Sequence, residues 1–330
     1  IIYNRDWENW QEIMSDVERT AEAGADSGNL IRIEKDGKLR EVERVVTRPR
    51  PGHADLAAAM KYNSADIRNI LERASARETA ARVAVGAITD CLLEYFGIEI
   101  ISHVIQIGEI KTSVSPDLSF KELKERILES ELNCFDGEKE KEMMAYIDRV
   151  KAEGDSLGGV IELRTTPLPV GLGTHTQWDR RLDGLIARAI MSIPAIKGVE
   201  IGPAFDNSGK KGSQVHDEIF YDEEIGFYRK TNRAGGLEGG VTNGEPIIIR
   251  AAMKPIPTLY KPLNSVDIRT RKPVKAGVER SDITAVPAAG IVAEAMLSFV
   301  LAQAILEKFG GDSIEEVMAN YNSYTGLKLE

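Results

Sequence analysis

Residues 285–309 constrain this chain more than any other stretch. They form its longest apolar run, interrupted by Pro287, Glu294, Gln303, Glu307 and Lys308. The run therefore lacks the roughly 18 uninterrupted apolar residues that a membrane helix requires. Residues 291–309 read as the strongest helix in the chain, ended by Gly310-Gly311. Burying so apolar a helix takes a large core. At 330 residues, 42% hydrophobic and 28% charged, the chain can supply one, in one large domain or two ordinary ones.

The remaining pattern mixes helices and strands. A helical stretch begins near Asn63 and Ser64, carries Ile67, Ile70, Leu71 and Ala74 at helical spacing, and runs past Leu92 and Leu93 to a stop at Gly97. Residues 98–110 are β-branched and read as a strand. Ser119 with Glu122 forms a capping box for a helix ending near Glu131. Further helices are expected over 138–153, 182–193 and from Ser313, with strands over 157–166, 198–202 and 246–253. There is no regular βαβ alternation, so the class is α+β rather than a Rossmann or TIM fold. Residues 15–43 are charged and poor in large apolar groups. They read as a surface insertion with a short hairpin at Lys35-Asp36-Gly37-Lys38.

Charge and cysteine content narrow the function. The net charge of −10 disfavours sequence-independent nucleic-acid binding. Two segments run against that balance. Residues 47–86 hold seven Lys/Arg against four Asp/Glu, and residues 245–282 hold eight against four. Locally basic segments in an acidic protein suggest an anionic small molecule. Cys91 and Cys134 cannot build a disulfide framework or a zinc site alone and read as reduced thiols of a cytosolic protein. The opening residues do not read as a signal peptide, because Asn4, Arg5, Asp6 and Glu8 break the apolar start. The glycine run 235–240 is neither a Walker A loop nor a dinucleotide fingerprint. No metal-ligand spacing and no nucleophile elbow is present.

Four segments carry candidate chemistry. In Arg50-Pro51-Gly52-His53-Ala54-Asp55 a histidine sits behind a Pro-Gly turn, rigidly placed for proton transfer. In residues 72–79, Arg73 and Arg77 at i,i+4 would share one helical face and suit a carboxylate or phosphate. Surface pairing with Glu72 and Glu78 explains the same residues equally well. The glycine run with Lys254-Pro255-Ile256-Pro257-Thr258 offers backbone amides and a cation to an anion. Glu279-Arg280-Ser281-Asp282 places cation, hydroxyl and carboxylate before the strong helix, where Asp282 could act as a base if desolvated. His103 reads as a structural strand residue, and His175 and His216 as loop residues.

Together these segments resemble chorismate synthases. The resemblance is carried by RPRPGHADLAAAMKY (48–62), ERASARETAARVAVGAI (72–88), DSLGGVIE (155–162), PVGLGTHTQWDRRLDGLIARAIMSIPAIKGVEIG (169–202), TNRAGGLEGGVTNGEPIIIRAAMKPIPT (231–258) and ERSDITAVPAAGIVAEAM (279–296), in the family's order. It implies a single domain over 1–330 in a β-α-β sandwich, with helices between antiparallel sheets, assembled as a homotetramer in the cytoplasm. It implies a lyase of the shikimate pathway that eliminates phosphate from 5-enolpyruvylshikimate 3-phosphate to give chorismate. The reaction requires reduced FMN but has no net redox change. The flavin is reduced by the enzyme with NADPH or by an external reductase. The resemblance assigns His53 and Asp282 to catalysis, and Arg50, Ser75, Arg77 and Arg280 to substrate. It assigns Arg73, Ala74, Ser75, Pro194, Ala195, Gly239, Lys254, Pro255, Ile256, Pro257, Thr258, Arg280 and Ser281 to FMN. No metal, nucleic acid or membrane is implied.

Two departures stand out. The family's Gly-Glu-Ser-His-Gly motif and an Arg-rich segment would precede Ile1. Their absence from this sequence marks either a fragment of a longer protein or a relative reduced to an inert subunit that binds FMN or another anion. The charged insertion at 15–43 is longer than usual and is expected to leave the site alone.

Overall fold

The computed structural model describes residues 30–35, 38–43, 45–114, 118–279 and 281–325. Its helices are α1 (Asp55–Tyr62), α2 (Arg68–Arg73), α3 (Thr79–Glu94), α4 (Phe120–Leu128), α5 (Gly137–Glu153), α6 (Leu182–Met191), α7 (Ala204–Ser208), α8 (Gly212–Val215), α9 (Val286–Phe309) and α10 (Ile314–Thr325). Its strands are β1 (Leu30–Lys35), β2 (Lys38–Glu43), β3 (Ile100–Ile107), β4 (Ile110–Lys111), β5 (Gly159–Pro167), β6 (Ile196–Ile201), β7 (Ile219–Asp222), β8 (Gly226–Arg229), β9 (Leu237–Glu238), β10 (Val241–Thr242), β11 (Pro246–Met253), β12 (Asn264–Val266) and β13 (Pro273–Lys275). The α+β class expected from sequence holds. By internal contacts the chain divides into two compact units, residues 1–75 with 262–279, and residues 76–261 with 280–330.

The first unit contains the antiparallel hairpins β1–β2 and β12–β13 with helices α1 and α2. Lys35 pairs with Lys38, so the expected hairpin is present, while residues 15–29 of the foreseen insertion lie outside the described residues. Residues 45–50 are strapped to β12 and to the turn that joins it to β13. Ser265 Oγ donates to the Pro49 carbonyl at 2.6 Å, Thr47 Oγ1 donates to Asp267 at 2.5 Å, and Ile268 N–H returns to the Thr47 carbonyl at 3.0 Å. Asn63 and Ser64 do not start the next helix. Asn63 ends α1 in the left-handed region at φ 50°, and Asp66 Oδ1 accepts the Arg68 N–H at the start of α2. The helical stretch foreseen over 63–97 is therefore interrupted. α2 stops at Arg73, a 3-10 turn spans Ala76–Glu78, and α3 starts at Thr79. Arg73 and Arg77 do not share one helical face.

The second unit is a five-stranded antiparallel sheet, ordered β4-β3-β5-β11-β6, packed on its helices. Its strands alternate as a half-covered sheet should. Ile161 and Leu163 of β5 and Ile247, Ile249 and Ala251 of β11 enter the core. There they join Ala293, Leu297, Leu301 and Ile305 of α9 and Leu182, Ile186 and Ile190 of α6. α9 is long and apolar enough to cross a membrane, with mean hydropathy 1.9, but 67% of that window is buried in this core. α3 crosses α9 so closely that a Cβ built on Gly86 would lie 2.3 Å from Ala295 Cβ. Nearby, Thr89 Oγ1 and Ser298 Oγ share a hydrogen bond of 2.7 Å across the same pair. Glu294, the charge inside α9, accepts the Ser102 N–H of β3 at 2.5 Å, and burial pushes its pKa up. The expected capping box forms, with Ser119 and Glu122 exchanging hydrogen bonds at the start of α4.

On the opposite sheet face lies a buried charge cluster. Glu162 of β5 receives Arg164 Nε at 2.8 Å and Arg250 Nε at 2.8 Å, and His103 Nε2 lies 3.3 Å away. Burial acts to raise the Glu162 pKa, but the His103 hydrogen bond and the Arg164 charge outweigh it and hold it at about 2. His103 is buried in strand β3, the strand placement read from sequence.

The depressed Glu162 pKa contributes stability above the ordinary glutamate value of 4.5, and that contribution is lost as pH falls toward about 2. Glu162→Gln should cost about 3 kcal/mol at pH 7 by leaving two guanidiniums without their carboxylate. It should also flatten the acid limb of a stability–pH curve measured by urea unfolding; equal acid limbs would contradict the assignment. Gly86→Ala should destabilise by about 1–3 kcal/mol through overpacking against Ala295. Alanine's helix propensity would give the opposite sign at an uncrowded site, so chemical denaturation reads the crossing directly.

Candidate active site

In the first unit the sequence 50–55 folds into one hydrogen-bonded turn. His53 N–H donates to the Arg50 carbonyl at 3.2 Å, and Gly52 takes φ 80°, a conformation that favours glycine. The turn delivers Asp55 to the first position of α1, where a negative charge suits the helix dipole. Asp55 is fully buried, Arg50 is buried and His53 is half-buried. The Asp55 Oδ2 atom accepts the Arg50 N–H and Nε–H, each at 3.0 Å. Its Oδ1 atom accepts Arg50 Nη2 at 3.3 Å and is in close contact with His53 Nδ1. Burial would raise the Asp55 carboxyl, but the hydrogen bonds from His53 and Arg50 prevail and hold it well below the usual carboxylate range. Glu279 belongs to the same unit. Burial pushes its pKa up, and the Arg50 and Arg68 charges only partly oppose this. Arg73 ends α2, exposed. Ala74 and Ser75 follow as a turn, with Ala74 N–H on the Ile70 carbonyl at 2.9 Å and Ser75 N–H on that of Glu72 at 3.3 Å.

In the second unit several further candidate positions meet. Residues 193–196 make a tight turn in which Ala195 holds φ 68°. A non-glycine residue there is strained and persists only where its surroundings demand it. Lys254 N–H donates to the Ala195 carbonyl at 3.0 Å, tying the 254–258 loop to this turn. Ser156 Oγ donates to the Ile256 carbonyl at 2.6 Å, and Leu157 N–H donates to the Ile283 carbonyl at 2.8 Å. Residues 155–158 therefore join the 254–258 loop to the stretch that carries Ser281 and Asp282. Only glycine serves at 158, where a Cβ would lie 2.3 Å from the Met253 carbonyl oxygen. Lys254 is half-buried, and burial, with the nearby charge of Lys197, lowers its pKa. Ser281 is half-buried, Asp282 and Arg77 are exposed, and Arg280 lies outside the described residues. Gly239 is exposed in the β9–β10 turn at φ 61°, which is linked to residues 173–182 by the Leu182 N–H on the Gly240 carbonyl at 3.0 Å.

The expected residues thus fall into two sets. Arg50, His53, Arg73, Ala74 and Ser75 belong to the first unit, and Arg77, Pro194, Ala195, Gly239, residues 254–258, Ser281 and Asp282 to the second. The structure also adds residues that sequence reasoning did not assign. Asp55 holds both Arg50 and His53. Arg82 of α3 donates to Ser192 Oγ at 2.7 Å and to the Ser192 carbonyl at 3.3 Å, next to the Ala195 turn. Lys197 places a second positive charge near Lys254. The i,i+2 spacing of His53 and Asp55 was a visible signal for the first; nothing in the sequence pointed to Arg82 or Lys197.

Comparison with known proteins identifies the family. The profile of the family described as chorismate synthase matches residues 1–306. The chain is 56% identical over 323 residues to a chorismate synthase of Desulforamulus reducens, covering 98% of this chain and 79% of that protein. A chorismate synthase of Geobacter metallireducens is 54% identical over 330 residues with the same coverage. A solved structure titled "Crystal Structure of Chorismate Synthase" superposes with a TM-score of 0.71 at 50% identity, covering 82% of this chain and 75% of that one. Sequence, family profile and fold agree: the chain belongs to the chorismate synthase family, carbon–oxygen lyases that convert 5-enolpyruvylshikimate 3-phosphate to chorismate and phosphate.

Proposed function

We propose that this chain carries out the family's anti-1,4-elimination with reduced FMN bound beside the substrate. The observation that carries the reading is the Arg50–His53–Asp55 cluster, a guanidinium and an imidazole fixed by one buried carboxylate. Arg50, Arg77, Arg280 and Ser75 would hold the two carboxylates and the phosphate of the substrate, for which guanidinium forks are the matching donors. The donor set of the second unit suits FMN. Lys254 and Lys197 repel each other where Lys254 is half-buried, so an anionic phosphate there relieves both. Pro194, Ala195, Pro255, Ile256, Pro257, Thr258, Gly239, Ser281, Arg73 and Ala74 would complete the contacts. When bound, reduced FMN supplies electron density for breaking a poorly acidic C–H bond as phosphate departs, with no net redox change. His53 would hold a proton at Nε2 for transfer, and Asp282 would accept one at a carboxylate oxygen. The same reading has the enzyme act in the cytoplasm as a homotetramer, its flavin reduced with NADPH or by an external reductase.

The direct test is an anaerobic assay of the 330-residue chain with chemically reduced FMN and 5-enolpyruvylshikimate 3-phosphate, following chorismate. Turnover is the expected result. Flavin binding without turnover would instead favour an inert flavin-binding subunit. Asp282→Asn should lower turnover about 100-fold or more while leaving the FMN dissociation constant nearly unchanged. An unaltered rate would remove Asp282 from the chemistry. Lys254→Ala should raise the FMN dissociation constant about tenfold, the worth of one charge-assisted hydrogen bond. Equilibrium titration with flavin fluorescence checks this.

A further inference from the structure

The turn at 50–55 settles a question about His53 that its sequence neighbours leave open: which ring nitrogen carries the proton. Asp55 is fully buried and stays ionised, so both of its oxygens can only accept. Three of its hydrogen bonds come from Arg50, through the main-chain N–H, Nε and Nη2. The fourth direction, at Oδ1, is taken by His53 Nδ1. Arg50 Nη2 also lies 3.0 Å from His53 Nδ1. A guanidinium has no lone pair to offer and a carboxylate has no proton, so Nδ1 cannot satisfy both neighbours in the same way. The contact with the carboxylate is the closer one, and it requires a proton on Nδ1. Arg50 Nη2 then sits beside the ring because both groups share Oδ1. With Nδ1 protonated, Nε2 carries the ring's lone pair, and Arg50 Nη2 lies 3.4 Å from it as a donor, consistent with that tautomer. Nε2 is the nitrogen that can exchange a proton with a bound group, the His53 side chain being 15% exposed.

We propose that Asp55 is a positioning residue for the reaction: it pins a proton on His53 Nδ1, so that Nε2 is the exchanging nitrogen, and it holds the Arg50 guanidinium in one orientation. A single carboxylate therefore orients a proton donor and an anion-binding group together. A buried aspartate that fixes a histidine tautomer is a known catalytic device, and neutralising it lowers turnover by about 10⁴-fold in serine proteases. The effect of Asp55 on turnover rests on the reading of His53 as a proton donor. The tautomer does not.

The test uses the full chain labelled with ¹⁵N in its four histidines. Long-range ¹H–¹⁵N spectra report each ring's tautomer, with His53→Gln used to assign the His53 signals. In the wild type, His53 should carry its proton on Nδ1, with a downfield signal that exchanges slowly with water. Asp55→Asn should abolish that signal and mix the tautomers. Turnover should fall on the order of 100-fold or more, while the melting temperature shows the fold is kept. A wild-type His53 protonated on Nε2 alone overturns the proposal, and this arm needs no variant to fold. So does an Asp55→Asn protein with the signal unchanged, or one that loses the signal and keeps full turnover while His53→Gln does not. If the signal is lost as stated but His53→Gln turns over normally, the tautomer assignment stands and the proton-donor reading of His53 falls.

Discussion

Everything in the larger unit is arranged around a helix that is apolar on almost every side. α9 has no wide polar face to turn to water, so it is stable only where neighbours cover it. The β3–β5–β11 sheet covers one side, α6 another, and α3 comes in at a glycine because nothing larger fits against Ala295. Close approach of α3 and α9 has a consequence for chemistry. α3 begins immediately after the Ala76–Glu78 turn, and its Arg82 reaches the Ser192 turn. The turn at Ala195 in turn receives the Lys254 loop. Core packing thus fixes the positions of backbone segments that hold the candidate cofactor residues, although few of those residues are themselves in the core.

The two faces of the five-stranded sheet solve different problems. The inner face is paid in methyl groups, with Ile161, Leu163, Ile247 and Ile249 wholly buried. The outer face buries Glu162 among His103, Arg164 and Arg250. A buried carboxylate is costly unless each oxygen is matched, and here both oxygens receive a guanidinium nitrogen. Glu162 therefore resists acid until well below neutral pH, whereas Glu294, half-buried against Ser102 with Asp90 rather than a cation nearby, is shifted the other way. Charge partners, more than burial, decide the direction.

What was legible in the sequence follows from how local the causes are. β11 was read at its observed bounds because a β-branched run lies between turn residues, and the capping box at Ser119 was visible because two residues suffice to make it. The break between α2 and α3 was not visible. Ala74, Ser75 and Ala76 are compatible with a helix, and the chain turns there at the boundary between the two units. Asn63 was read as a beginning when its left-handed φ makes it an end; asparagine serves both roles, and only the backbone angle distinguishes them. α1 went unread because the Pro51-Gly52 turn masked the alanine-rich run behind it. For the site, residue type and spacing flagged Arg50, His53 and Lys254, but the FMN positions came from family resemblance. Contacts such as Arg82 to Ser192, 110 residues apart, leave no local trace.

The same distinction explains why Asp55 escaped notice as a functional residue. From sequence it is one acidic residue at a helix start, a position that the helix dipole favours in any protein. A dipole partner alone would sit at the surface with water on its free oxygens. Asp55 is instead sealed from water, and its lone pairs are used by Arg50 and His53. Burying a carboxylate at a helix start gains little for α1 that an exposed one would not supply. The burial makes sense only if the groups it fixes matter more than the cost of desolvating it. Asp55 contacts Arg50 through Nε, Nη2 and the main chain and His53 through Nδ1, so one buried carboxylate sets the orientation of both groups.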